Sequence, residues 1–121
     1  MVLATVVAAC RDDGPRARPN PPPAGEEGTG VEVNVQSIDN TFRPDRIEIA
    51  PGTAVVWTNM GRTKHDIIPV EGTAWGVAEH DFPPGASYRH VFSEPGEVPY
   101  YCSIHGTTEF GMIGTIVVLD G

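Results

Sequence analysis

An all-β, Greek-key sandwich of about seven to eight strands is the fold class that this sequence predicts. Three observations carry the expectation. Short runs rich in Val, Ile, Tyr and Trp recur at regular spacing from Val31 onward. Turn residues, among 12 prolines and 14 glycines, separate those runs and disfavour a helical bundle. No run has a convincing helical period.

The strands follow in order. Val31, Val33 and Val35 alternate with polar residues in VEVNVQSI, the period-2 pattern of a half-buried strand. The stretch DNTFRPD is turn-rich, and a second alternating run passes through Ile47 and Ile49. Pro51-Gly52 is a turn, and AVVWTN, residues 54–59, is a third strand. A short extended piece covers His65–Pro69, and a long Gly-containing loop follows. Tyr88, His90 and Phe92 share one face of SYRHVF. Glu94-Pro95-Gly96 turns the chain into VPYYC, and MIGTIVVL, residues 112–119, is the last strand.

The rest of the 121 residues read differently. Residues 1–10 form an apolar run ending in Val7-Ala8-Ala9-Cys10, which resembles a bacterial lipobox, although no Lys or Arg precedes it. The run is too short to span a bilayer, which takes about 20 residues. The alternative is an N-terminus with an incidental Cys. Residues 11–30 contain five prolines between Pro15 and Pro23 and no large apolar side chain, the composition of an extended linker. The organisation expected is therefore signal or lipobox at 1–10, linker at 11–30 and one folded domain at 31–121. The chain is then exported and held at the cell envelope, on the outer face of a membrane, by a lipid at Cys10.

The net charge is −8, from 16 carboxylates against 8 basic groups. Three arginines oppose four carboxylates in residues 11–30, so −7 belongs to residues 31–121. That balance excludes nucleic acid as a partner, since phosphate neutralisation needs a basic surface. It suits a protein partner with a basic docking surface. The domain is expected to be a monomer.

The chemistry sits in YYCSIH, GTTEFG and Met112, with one distant histidine. A thiolate (Cys102), an imidazole (His105) and a thioether (Met112) fall within eleven positions, and His65 sits in the turn after AVVWTN. Turns of a sandwich can cluster at one end, so the four donors can converge. Two His, one Cys and a weak axial Met suit a blue copper electron-transfer site. Structural zinc prefers Cys and His alone, and an iron–sulfur cluster needs more thiolates than Cys102. Taken singly, His65 and Cys102 each have a plain structural reading, and Met112 reads as ligand or core. Met60 reads as a packing or surface residue, Glu109 and His80 as solvated, and His90 as structural or solvated. Arg62 and Lys64 flank His65 as a basic spot.

The segments YYCSIH…GM, MIGTIVV, VVWTNMGRTKHDIIP and EPGEVPYYC together resemble the cupredoxins, small blue copper proteins of the plastocyanin and halocyanin type. The resemblance covers residues 31–121. It implies one mononuclear type 1 copper with His65, Cys102 and His105 as equatorial ligands and Met112 as the axial one. It also implies an electron carrier working between redox proteins, not an enzyme. The alternative function is copper storage or delivery in the envelope. Two departures stand out. The spacer between the second His and the Met, Gly106 to Gly111, has six residues and is longer than is common in plastocyanins. Asp66 follows the first His where plastocyanins commonly have Asn; it is expected to accept a backbone N–H, for which Ser103 is the candidate, and to favour Cu(II) through its charge.

Overall fold

The computed structural model describes residues 28–120. The lipobox residues and nearly all of the proline-rich stretch lie outside the described residues. Eight strands follow in chain order: β1 (Glu32–Ile38), β2 (Thr41–Arg43), β3 (Arg46–Ile49), β4 (Thr53–Asn59), β5 (Ile68–Pro69), β6 (Ser87–Phe92), β7 (Gly96–Gly106) and β8 (Gly111–Val118). The one helical element among the described residues is a 3-10 turn, Glu79–Asp81, in the long loop between β5 and β6.

The strands form two four-stranded sheets, ordered β2-β1-β4-β6 and β3-β8-β7-β5. Both sheets are mixed. β1 runs parallel to β4, with Val35 opposite Trp57, and β3 runs parallel to β8, with Ile47 opposite Ile116. The remaining pairs are antiparallel. Such crossings tie each half of the chain into both layers, which is how a sandwich closes around one core.

Alternation places the core as the sequence pattern expects. Val35, Phe42, Val55 and Trp57 point inward from the first sheet. Ile49, Tyr100, Cys102, Met112, Ile116 and Val118 meet them from the second. Trp57 is fully buried and central. It stacks on Trp75 and Tyr88, each with ring centroids 5.6 Å away, and meets Tyr100 edge-on at 5.5 Å. Stacked and edge-on pairs of this kind add about 0.5–1.5 kcal/mol each beyond burial.

The structure departs from the sequence reading in two places. DNTFRPD is not only a turn: Thr41–Arg43 pairs antiparallel with β1 across Asp39-Asn40. Asp39 takes the left-handed φ of 46° that a tight hairpin needs. Phe42, 1% exposed, is the apolar side chain that pins this short strand to the core. The VPYYC strand is also longer than its apolar run, because backbone pairing with β8 continues outward from it at both ends.

Candidate metal centre

β4 ends at Asn59, and the next loop carries His65. Asn59 is 1% exposed and organises that loop with three hydrogen bonds. Its side-chain amide donates to the Thr63 and Phe82 carbonyls, both at 2.9 Å, and its oxygen accepts from Gly61 N–H at 2.9 Å. Gly61 has no room for a side chain: a Cβ there would lie 2.9 Å from His65 Nε2 and 2.9 Å from Asp39 N. The loop therefore folds flat over the imidazole, and His65 is fully buried.

Across from it, the β7–β8 ladder is regular up to Tyr101–Ile113 and then shifts register before Gly106–Gly111. The irregularity spans Cys102 to His105. Cys102 keeps the inward alternation of Tyr100, and the break beyond it lets His105, three residues on, reach the same cluster. Cys102 Sγ lies 3.7 Å from His65 Nδ1 and 3.8 Å from His105 Nδ1. The donor atoms of all three residues fall within 4.8 Å of one another. His65 and Cys102 are buried, and His105 is the half-exposed member.

Met112 follows from the same register. Tyr101 pairs with Ile113, so Cys102 and Met112 are the next residues on adjacent strands and share the inward face. Both are fully buried. The longer spacer does not carry Met112 away. Gly106 pairs with Gly111, and residues 107–110 close a compact turn in which Thr107 N–H donates to the Phe110 carbonyl at 2.8 Å. Thr107 Oγ1 accepts from the N–H groups of Glu109 and Phe110. The added residues thus project outward as a turn, with Phe110 73% exposed at its tip. Gly111, at φ 88°, makes the return that a side chain would strain.

The loop bearing His65 and the strand bearing Cys102 are tied together by Asp66. One carboxylate oxygen accepts the Ser103 backbone N–H at 2.7 Å, and the other accepts the Ser103 hydroxyl. This is the contact that the position of Asp66 suggested. Asn59 was missed as a functional residue. Its signal was an Asn closing an apolar strand immediately ahead of a Gly-containing turn, in TNMG.

Electrostatics prepare the donors. Burial lowers the pKa of His65 from its ordinary 6.5, assisted by His105 and opposed by Asp39 and Asp66, so the ring stays neutral and able to bind metal. Burial raises the Cys102 thiol, while backbone N–H groups of Asp66, Ile104 and His105 pull the other way. A metal ion here displaces the thiol proton.

The donor set fits copper. First-row metal bonds of about 2.0–2.1 Å to imidazole and 2.3 Å to thiolate, spread at about 120°, separate N from S by about 3.8 Å. The observed separations of 3.7 and 3.8 Å leave room for one such ion among the donors. One thiolate, two imidazoles and a buried thioether select copper over harder cations. The other histidines do not join this group. His80 is exposed and pairs with Asp81, and His90 stacks on Trp75 at 5.7 Å. Met60 and Glu109 are exposed, and Lys64 pairs with Glu79 at 3.5 Å.

Two sheets closed around a His–Cys–His cluster define a cupredoxin-type β-sandwich. Residues 29–119 match the family of copper binding proteins, plastocyanin/azurin family, and the chain belongs to it. Solved structures agree on the fold. The chain is similar to a purple cupredoxin from Nitrosopumilus maritimus, at 24% identity and a TM-score of 0.61, covering 70% of this chain and 97% of that one. A mutant fern plastocyanin matches at 25% identity and a TM-score of 0.60, over 71% of this chain and 99% of its own. Amicyanin from Paracoccus versutus matches at 22% and 0.59, over 74% and 82%.

Proposed function

We propose that this chain is a one-electron carrier in which His65, Cys102 and His105 hold a single copper ion and Met112 is its weak fourth donor. The observation that carries the reading is the pair of Sγ–Nδ1 separations, 3.7 and 3.8 Å, in a cluster whose His65 and Cys102 are fully buried and which adjoins a buried thioether. Bound copper supplies a one-electron couple.

The protein's own groups do the rest. Neutral His65, locked under the Asn59 loop, and Cys102, locked between β8 and the Asp66 clamp, hold the donors in one arrangement. Fixed donors limit the rearrangement that gain or loss of an electron would otherwise demand. Cys102 offers a covalent path into the backbone of β7. His105 is the half-exposed edge of the site, and Ile104 and Phe110 make the surface beside it apolar. A partner can approach there without desolvating charge. The net negative charge of residues 31–121 suits a partner with a basic surface.

A delivery protein needs a site that opens for exchange; the burial of His65, Cys102 and Met112 favours retention and therefore electron transfer. The Val7-Ala8-Ala9-Cys10 segment supports export and lipid attachment, with residues 11–30 as spacer, and intact mass measurement of the membrane fraction tests that.

The functional test is an absorption spectrum of the copper-loaded protein after an oxidant is added. An intense visible thiolate-to-copper band is expected, and Cys102→Ser removes it. A colourless protein that binds copper tightly through these residues would refute the carrier.

A further inference from the structure

Asp66 is a buried carboxylate with an unusual set of partners. It is 6% exposed. Its two oxygens accept the backbone N–H and the hydroxyl of Ser103, both neutral donors. Among the described residues, the ion pairs are Arg46–Glu97, Lys64–Glu79, His80–Asp81 and Arg89–Glu32, and none reaches Asp66. A charge removed from water is costly unless something opposite offsets it. No cationic side chain among the described residues comes within ion-pair distance of it. The residue lies one position from His65 and holds the neighbour of Cys102, and its charge acts on both of those side chains.

Resting on the copper reading above, we infer that Asp66 is a fixed anion of the metal site, which biases bound copper toward its more highly charged state and holds the reduction potential down. The clamp alone does not require this charge. An Asn in the same place accepts the Ser103 N–H through its oxygen and donates its amide to a rotated Ser103 hydroxyl. The carboxylate therefore adds electrostatics to a tie that a neutral amide makes equally well. Two unit charges a few ångströms to ten ångströms apart, partly screened as they are near a protein surface, still interact strongly. Asp66 is thus a positioning residue through Ser103 and a tuning residue through its charge.

Asp66→Asn isolates the second role, and Ser103→Ala isolates the first. The measurement is the ratio of Cu(I) to Cu(II) affinities, by competition with chelators specific for each state, together with the reduction potential from a redox titration. Asp66→Asn is expected to move the ratio about tenfold toward Cu(I), a rise of about 59 mV for one electron. Ser103→Ala keeps the charge and the backbone hydrogen bond, and is expected to leave the ratio within about threefold. Should Asp66→Asn fail to fold, Asp66→Ser removes the same charge with a smaller side chain and carries the same expectation. A ratio that stays within about threefold of wild type when the charge is removed overturns the inference. Chelator competition reads the ratio whether or not the protein is coloured. A colourless wild-type protein therefore sinks the carrier, and an unmoved ratio sinks the role of Asp66.

Discussion

Replacing Gly114 with Ala should unfold this domain far more readily than the size of one methyl suggests. Gly114 on β8 pairs directly with Tyr100 on β7. The Tyr100 ring lies over it. A Cβ at 114 would sit 2.8 Å from Tyr100 Cε2 and closer still to Cζ and the hydroxyl oxygen. The ring has nowhere to go. It is 2% exposed, with Phe42 edge-on at 4.8 Å, Trp57 at 5.5 Å and Trp75 at 6.0 Å. Gly114 is not among the glycines with positive φ, so alanine meets no backbone strain there. In an open strand the change would even gain about 0.5–1 kcal/mol.

The cost is therefore steric. Overpacking of a tight core costs about 1–3 kcal/mol, and expelling a buried aromatic ring costs about 3–5 kcal/mol. An intermediate outcome of about 2–4 kcal/mol lowers the unfolding midpoint by roughly 10–25 °C in a domain of this size. Urea titration of the metal-free protein, followed by tryptophan fluorescence, reads it directly. Tyr100→Leu should cost stability alone, yet relieve Gly114→Ala, with a coupling of at least about 1 kcal/mol in the double-mutant cycle. A Gly114→Ala protein within about 0.5 kcal/mol of wild type would refute the ring-over-glycine reasoning.

Asn59→Ala strips the Thr63 and Phe82 carbonyls and Gly61 N–H of their partner, and should cost about 2–4 kcal/mol and weaken copper binding, as read by urea titration and chelator competition. Met112→Leu nearly conserves a fully buried volume, so stability should change by less than about 1.5 kcal/mol while the reduction potential moves; an unchanged potential would remove Met112 from the site. The folded pKa of His65 lies below its ordinary 6.5, so the unfolded chain binds more protons between those two values. Metal-free protein should therefore lose stability as the pH falls through 6.5 until the folded pKa is passed, and His65→Gln should remove that step from the titration of stability against pH.

Much of this molecule was legible before any coordinates. Alternation in VEVNV marked β1, and the spacing of Cys102 and His105 with a distant His65 singled out three donors that the fold brings within 4.8 Å of one another, because both are local or compositional signals. Strand β2 was hidden, since three residues with a single buried Phe give no period. The parallel pairing of β1 with β4 and β3 with β8 was hidden too, because register between distant segments leaves no mark on either alone. Asp66 could be placed from its position beside His65. The bond network of Asn59 reaches Phe82, a partner 23 residues away, and only the folded chain shows it.

The pairing of β3 with β8 has a consequence for the order of events in a growing chain. Arg46–Ile49 finds its partner only at Thr115–Val118, within the final strand. Three of the four proposed donor side chains, Cys102, His105 and Met112, also emerge late. A chain stopped before β8 has an open sheet edge and lacks Met112. Long-range pairing of this kind also slows folding. Closing the second sheet is thus a terminal step, and the strand that closes it also brings Met112, the fourth donor proposed for the metal.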